Sequence, residues 1–114
     1  MRDSAALVYT YAGIWEVEPA WLEEHRKDVI VLDVRTPEEF EGPLGHIPEA
    51  AHLPLDRLAV EAALLARERP IVTVCRAGGR SAQATVLLHK AGFERVANPA
   101  GGMIRWRGLG YPTA

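Results

Sequence analysis

The chain has 114 residues and a formal net charge of -2, which is long enough for one compact domain and gives no indication of a nucleic acid or an anionic membrane as partner. We therefore expect residues 1–114 to form a single domain. A single cysteine excludes an internal disulfide and a cysteine-based metal site, and it favours a reducing, cytoplasmic compartment.

The first part of the chain alternates between extended and helical patterns. The apolar stretch at residues 7–15 is too short to cross a bilayer, and it lacks the features of a signal peptide. A short extended segment at Trp15–Val17 precedes a predicted helix from Pro19 to His25, where a proline suits the first turn. The β-branched run from Asp28 to Val34 predicts a strand that is buried on both faces.

A capping-box pattern opens the next helix. Thr36 occupies the N-cap, a proline follows, and Glu39 comes three residues after the cap. Residues 42–48 are predicted to form a loop, and residues 50–53 are a short strand candidate. The spacing of leucine and alanine then predicts a helix from Leu55 to Arg67.

The second half repeats the alternation. Ile71–Val74 is a predicted buried strand, and a helix from Ser81 to Ala91 follows, with Gly92 just past its end. Arg95–Ala97 is a short strand candidate, and Gly101–Arg107 is the last predicted helix. Strands that alternate with helices predict an α/β fold, in which a parallel sheet is covered by helices on both faces.

Ligands of such sheets bind beyond the carboxyl ends of the strands. Cys75 lies at one of these ends, and Asp33 and Arg35 lie at another. Two glycines after the cysteine let the backbone curl, so that successive N–H groups form an anion-binding nest at the start of the next helix. With added charge from Arg76 and Arg80, this loop favours a thiolate over a thiol and attracts an incoming anion.

The simplest alternative for Cys75 is an inert role. A lone cysteine at the end of a buried strand is usually a small apolar core residue. The combination of two arginines, two glycines and a helix start directly after this cysteine favours an activated nucleophile instead.

Three motifs resemble those of the rhodanese homology domains, or thiosulfate sulfurtransferases. They are VLDVRTPEEFEGPLGHIPEAAHLP at residues 31–54, CRAGGRS at residues 75–81, and NPAGGMIRWRGLGYP at residues 98–112. The resemblance covers nearly the whole chain and implies a five-stranded, mainly parallel sheet with helices on both faces. Glu49 departs from the pattern, because the family commonly has glycine there; we expect only a slightly different turn.

The resemblance also implies roles for individual residues. Cys75 becomes the sulfur-carrying nucleophile, and the substrate-binding loop comprises Arg76, Ala77, Gly78, Gly79, Arg80 and Ser81. Asp33, Arg35, Glu39 and His46 belong to the first motif, where a buried salt bridge or a loop brace is the favoured interpretation. Asp33 and Arg35 are also candidates for a supporting role near the pocket. Trp106 is interpreted as a packing residue.

The predicted function is a sulfurtransferase. A sulfane sulfur passes from thiosulfate or a related persulfide donor, through a persulfide on Cys75, to a thiol or cyanide acceptor. We expect neither a metal nor an organic cofactor, and neither a nucleic acid nor a membrane as partner, although a sulfur-relay protein is a candidate. Two alternatives remain: a persulfide carrier or binding module for a partner protein, and a cysteine-dependent phosphatase or arsenate reductase. Related phosphatases have five residues between cysteine and arginine, whereas this chain has four between Cys75 and Arg80, which favours sulfur.

Overall fold

The computed structural model describes residues 7–9, 15–65 and 68–114, and for residues 7–9 it describes the backbone alone. Within these ranges, six strands form one sheet: β1 (Leu7–Tyr9), β2 (Trp15–Val17), β3 (Ile30–Asp33), β4 (Ala51–His52), β5 (Ile71–Val74) and β6 (Val96–Pro99). Their order across the sheet is β1-β2-β6-β5-β3-β4.

The sheet confirms the predicted α/β class. The pairs β2–β6, β6–β5, β5–β3 and β3–β4 are all parallel, which gives the five parallel strands that were expected. A sixth strand, β1, was not predicted, and it pairs antiparallel with β2. It lies in the apolar stretch 7–15, the rest of which up to Trp15 falls outside the described residues.

The described residues form five α-helices: α1 (Pro19–His25), α2 (Pro37–Phe40), α3 (Leu55–Glu61), α4 (Gly79–Lys90) and α5 (Gly102–Gly108). Four of them, all but α2, pack on the faces of the sheet. One hydrophobic cluster joins the sheet to α3 and α4 through residues such as Leu58 and Leu88, and a second joins the other face to α1 and α5 through Leu22 and Trp106. None of the described helices is long and apolar enough to cross a membrane.

Alternation along β5 sets the position of the cysteine. Val72 and Val74 face α1 and α5, whereas Ile71 and Cys75 belong to the cluster on the α3 and α4 side. Thr73 points to the same side as Cys75, and its hydroxyl donates to the Ser81 carbonyl oxygen at 3.0 Å. This buried hydrogen bond connects the first turn of α4 to β5, two residues before the cysteine.

The element boundaries differ from the predictions in several places. The strand expected over residues 28–34 is confined to Ile30–Asp33. The helix expected to reach Arg67 ends at Glu61 and continues as a 3-10 turn over Ala62–Leu64, while residues 66–67 lie outside the described part. Helix α4 begins at Gly79 rather than at Ser81, because Gly78 adopts a φ of 128° and turns the chain before it.

Two helix ends follow the prediction closely, and the last strand does not. The capping box of α2 is complete, since the Thr36 side chain accepts from the Glu39 N–H and the Glu39 carboxylate accepts from the Thr36 N–H. Gly92 follows α4 with a φ of 98°, a conformation that favours glycine. The last strand extends to Pro99 instead of ending at Ala97.

Glu49 adopts a left-handed backbone conformation, with a φ of 67°. The motif that this chain resembles commonly has glycine at this position. The glutamate therefore adopts a backbone conformation that a glycine would adopt more easily. A side chain in this region of φ and ψ costs about 1–2 kcal/mol. The exposed Glu49 side chain forms no salt bridge with the described residues that would offset this cost.

Replacing Glu49 with glycine should therefore stabilise the fold by about 1 kcal/mol, because the relieved strain exceeds the extra chain entropy of glycine. Urea unfolding of the two proteins measures the difference. The matched variant Glu49→Gln removes the charge but keeps the strain, so it should leave the free energy of unfolding nearly unchanged. Equal stabilisation by both variants would show that the charge, and not the backbone, was unfavourable.

Candidate active site

The Cys75 sulfur lies at the carboxyl end of β5 and is almost fully buried, with 2% of the residue exposed. The Gly78 N–H donates to the sulfur at 2.9 Å. The thiol donates to the Ser81 hydroxyl oxygen at 3.4 Å, and that hydroxyl donates to the Gly78 carbonyl oxygen at 3.1 Å. A backbone donor aimed at a sulfur stabilises negative charge on it, which an inert core cysteine would not require.

The loop after Cys75 depends on its glycines. Gly78 holds a φ of 128°, which side chains rarely adopt, and Gly79 is the first residue of the 12-residue helix α4. The positive end of the dipole of α4 therefore lies next to the loop that carries the cysteine. Gly78 supplies one backbone N–H to the sulfur, and the anion-binding nest of successive N–H groups stays a prediction.

The amino end of helix α5 fixes the other side of the loop. The Met103 N–H donates to the Cys75 carbonyl oxygen at 2.9 Å, and the Ile104 N–H donates to the Arg76 carbonyl oxygen at 3.1 Å. Gly102 has a φ of 57°, and a Cβ placed on it would lie 2.7 Å from the Cys75 oxygen and 2.6 Å from the Arg76 oxygen. Only glycine lets α5 come this close, so Gly102 belongs to the site, a role that was not predicted from the sequence.

Arg35 is fully buried and forms a salt bridge with Asp33. Its Nη2 lies 2.8 Å from Asp33 Oδ2, and its Nε lies 2.9 Å from Oδ1. The same guanidinium donates to the Gly45 carbonyl oxygen at 2.7 Å and to the Glu39 carbonyl oxygen at 3.2 Å. The pair thus braces the segment between α2 and β4, in agreement with the structural interpretation of both residues.

Arg80 is paired with a carboxylate. Both of its terminal nitrogens donate to Glu39, with Nη2 at 2.7 Å from Oε2. The hydrogen bond from Arg80, aided by that from the Thr36 N–H, lowers the pKa of Glu39 from 4.5 to about 2, and the carboxylate raises the pKa of Arg80. Arg80 was expected to add a full positive charge to the loop; in the structure Glu39 compensates that charge.

Arg76 differs from the other two arginines. It is exposed, and no carboxylate among the described residues forms a salt bridge with it. It opens onto a cleft of about 350 Å³, which is lined by Arg35, Glu39, Pro43, Leu44 and Arg76. Of the three arginines near the loop, Arg76 is the one whose charge is left for a ligand.

The histidines of the first motif brace the backbone. His46 Nδ1 lies 3.1 Å from the Phe40 carbonyl oxygen, and His52 Nε2 lies 2.8 Å from the Arg35 carbonyl oxygen. Both imidazoles stack on the Phe40 ring, with ring centroids 3.8 and 4.4 Å away. In the described part of the chain, no three His, Cys, Asp or Glu side chains are grouped so that they would hold a metal ion.

Trp106 has the packing role that was expected. It is 1% exposed, its indole N–H donates to the Pro112 carbonyl oxygen at 2.7 Å, and its ring contacts Tyr111 edge-on. It holds the C-terminal segment against α5, within the core cluster on the α1 and α5 side of the sheet.

The sequence profile of the rhodanese-like domain family matches residues 18–109, a range that includes the cysteine loop, the first motif and helix α5. The chain belongs to the rhodanese-like family.

Individual relatives agree with this assignment. A sulfurtransferase of Allochromatium vinosum is 38% identical to this rhodanese-like chain over 75% of the chain and 78% of that protein. The putative sulfur carrier protein YrkF of Bacillus subtilis is also 38% identical, over 68% of this chain but 41% of its own length, so this chain spans less than half of YrkF. The crystal structure of a rhodanese-related protein from Thermoplasma volcanium superposes with a TM-score of 0.80 at 31% identity, covering 87% of this chain and 96% of that one.

The ion pair between Glu39 and Arg80 makes the free energy of unfolding of this rhodanese-like domain depend on pH in the acidic range. Because folding lowers the pKa of Glu39, the pair stabilises the native state at pH values above the ordinary value of 4.5. That stabilisation should be lost as the pH falls from 4.5 to about 2. Both side chains are partly exposed, so we expect a contribution of about 1 kcal/mol.

Urea unfolding at several pH values across this window measures the effect. The difference between the wild type and Glu39→Gln should shrink as the carboxylate is protonated. Glu38→Gln is the matched control, since Glu38 lies on the same helix and forms no salt bridge with the described residues. A pH-independent difference for Glu39→Gln would contradict the assigned ion pair.

Proposed function

We propose that this rhodanese-like domain is a sulfurtransferase that carries a sulfane sulfur as a persulfide on Cys75. Relatives named as a sulfurtransferase and a putative sulfur carrier support sulfur transfer in general. The observation that supports the assignment to Cys75 is the Gly78 N–H, 2.9 Å from a sulfur that lies at the end of β5 and before helix α4.

The proposed reaction has two displacements at sulfur. The Cys75 thiolate attacks the outer sulfur of thiosulfate, the sulfur–sulfur bond of the donor breaks, and sulfite leaves with the electron pair. A thiolate acceptor, or cyanide in an assay, then attacks the outer sulfur of the persulfide, and Cys75 leaves as a thiolate. Two half-reactions at one nucleophile give ping-pong kinetics.

The loop residues have electrostatic roles in this scheme. The Gly78 N–H and the amino end of α4 stabilise the negative charge that moves between the two sulfurs. The Ser81 hydroxyl is a second hydrogen-bond partner of the sulfur. Neither displacement removes a proton from the nucleophile, so the reaction needs no general base, and His46 retains its bracing role.

The partners proposed are a small anionic sulfur donor and a thiol or cyanide acceptor, with a sulfur-relay protein as a further candidate. The similarity to a putative sulfur carrier favours a second function, in which the Cys75 persulfide is delivered to one partner protein. The two functions share the first half-reaction and differ in the second.

Intact-mass measurement after incubation with thiosulfate tests the proposal. The reduced protein should gain one sulfur atom, and cyanide should remove it and yield thiocyanate with repeated turnover. If Cys75 gains sulfur but does not pass it to cyanide or to small thiols, the result would indicate the second function, a sulfur carrier for a partner protein. Hydrolysis of aryl phosphates that depends on Cys75, with no sulfur gained, would overturn both in favour of a phosphatase.

A further inference from the structure

Another cavity lies at the opposite end of the sheet from the cysteine loop. Two of the residues that line it, Lys27 and Arg69, precede strands β3 and β5, whereas Cys75 follows the carboxyl end of β5. Arg69 and Cys75 are six positions apart in the chain, and the extended backbone between them spans about 20 Å. A molecule bound in this cavity is therefore separate from the sulfur-transfer site.

The cavity has the size of a small-molecule site and carries a positive charge. Its volume is about 480 Å³, within the range of sites that bind small organic ligands. Three cations and one carboxylate line it: Arg26, Lys27, Arg69 and Glu49. Their formal charge is +2, in a chain whose net charge is -2. This local excess of positive charge points to an anionic ligand.

The protein does not neutralise these cations. None of the three forms a salt bridge with a residue that the structure describes. Arg69 Nη2 donates to the carbonyl oxygens of Lys27 and Val29, at 3.3 and 3.1 Å. Because these acceptors are neutral, they hold the guanidinium in place and leave its charge for a ligand.

Glu49 contributes the carboxylate of the cavity, and it too forms no salt bridge with a described residue. Its φ of 67° lies in the left-handed region, which glycine adopts more easily. Residues held in such conformations are concentrated at functional sites such as ligand clamps. An ionised carboxylate only accepts hydrogen bonds, so Glu49 suits a ligand that has O–H groups beside its anionic group.

We propose that this cavity binds a small phosphomonoester whose organic part carries hydroxyl groups. A phosphomonoester has a charge of about -1.5 to -2 at neutral pH and three acceptor oxygens. This charge balances that of the lining side chains, and arginine pairs with phosphate through two parallel hydrogen bonds. The hydroxyl groups donate to Glu49, and the carbon atoms cover the apolar lining from Val29 and Pro48. The inference is independent of the proposed function, because Cys75 has no part in it.

Isothermal titration calorimetry of the full chain at low salt tests the proposal with ribose 5-phosphate, inorganic phosphate and ribose as probes. Ribose 5-phosphate should bind at least about tenfold more tightly than inorganic phosphate, because its hydroxyl groups also reach a charged acceptor. Ribose should give no measurable binding, since it lacks the anion. Tighter binding of malate, a hydroxylated dicarboxylate, would overturn the assignment to a phosphomonoester.

Substitutions of the lining residues test the location. Lys27→Gln removes one exposed cation and should weaken the binding of ribose 5-phosphate about three- to tenfold at low salt. Arg26→Gln should have the same effect and is the second variant if Lys27→Gln does not fold. Glu49→Gln removes a like charge, so it should strengthen the binding of inorganic phosphate. It should also reduce the preference for ribose 5-phosphate, because the acceptor of the hydroxyl groups loses its charge.

Arg76→Gln is the matched control, because it removes one exposed cation at the cysteine loop, at the other end of the sheet. The dissociation constant of ribose 5-phosphate should stay within about twofold of the wild-type value, since the two ends of the sheet are further apart than the screening length. If Arg76→Gln weakens binding as much as Lys27→Gln does, the phosphate lies at the cysteine loop and the inference is wrong. The inference is also overturned if ribose 5-phosphate binds no more tightly than inorganic phosphate, or does not bind.

Discussion

Replacing Cys75 with serine should abolish sulfur loading and reduce sulfur transfer to the background rate. The hydroxyl is a far weaker nucleophile than a thiolate, and no other cysteine exists in the chain to replace it. Serine fits the same space and can accept from the Gly78 N–H, so the free energy of unfolding should change by about 1 kcal/mol. Intact mass, thiocyanate release and urea unfolding measure the three quantities.

The stability measurement makes this result interpretable. A folded Cys75→Ser protein without activity would assign the chemistry to the sulfur. If Cys75→Ser does not fold, Cys75→Ala tests the same assignment, because alanine keeps a small apolar side chain in the same core cluster. A folded variant of either kind that kept turnover near the wild-type rate would show that the nucleophile lies elsewhere.

Replacing Gly102 with alanine should destabilise the fold by about 2–4 kcal/mol and reduce the rate of sulfur loading at least tenfold. The new Cβ would lie 2.6–2.7 Å from two backbone carbonyl oxygens, and these cannot rotate aside as a side chain would. The φ of 57° adds strain for any residue with a Cβ. Relief requires the loop of Cys75 and Arg76 to move, and the geometry around the sulfur would move with it.

Gly108→Ala provides a matched control on the same helix. A Cβ at Gly108 would meet no atom within 4 Å, so alanine should be neutral or stabilise α5 by up to about 1 kcal/mol. Urea unfolding and the sulfur-loading rate are measured for both variants. They distinguish a change in the stability of α5 from a displacement of the cysteine loop. If Gly102→Ala retained wild-type loading, the contact between α5 and the cysteine loop would have no role in the reaction.

Local signals in the sequence were sufficient for much of the fold. The capping box at Thr36 and Glu39 is formed as predicted, and the apolar run Ile71–Val74 is a buried strand. Strand β1 was not predicted, because a three-residue edge strand leaves too short a pattern to distinguish it from other apolar segments. The early end of α3 was also not predicted, since the leucine spacing continues past Glu61.

The candidate site was predictable where it depends on neighbours in the chain. Cys75, the glycines after it and the start of α4 are adjacent in sequence, so the placement of the cysteine directly before a helix could be predicted from the loop alone. The pairing of Glu39 with Arg80 joins residues 41 positions apart, and a charged residue gives no sign in the sequence of whether it faces water or a partner. The role of Gly102 likewise depends on the packing of α5 against the loop, although two consecutive glycines at a helix start were a usable signal.

The outer strands of the sheet have a consequence for solubility. Among the described residues, β1 contributes three residues at one edge and β4 contributes two at the other. An edge this short offers few unpaired backbone groups to a neighbouring molecule, and natural proteins use short edge strands to prevent aggregation. Growth of the sheet from one copy of this chain to the next through these described edge residues is therefore disfavoured.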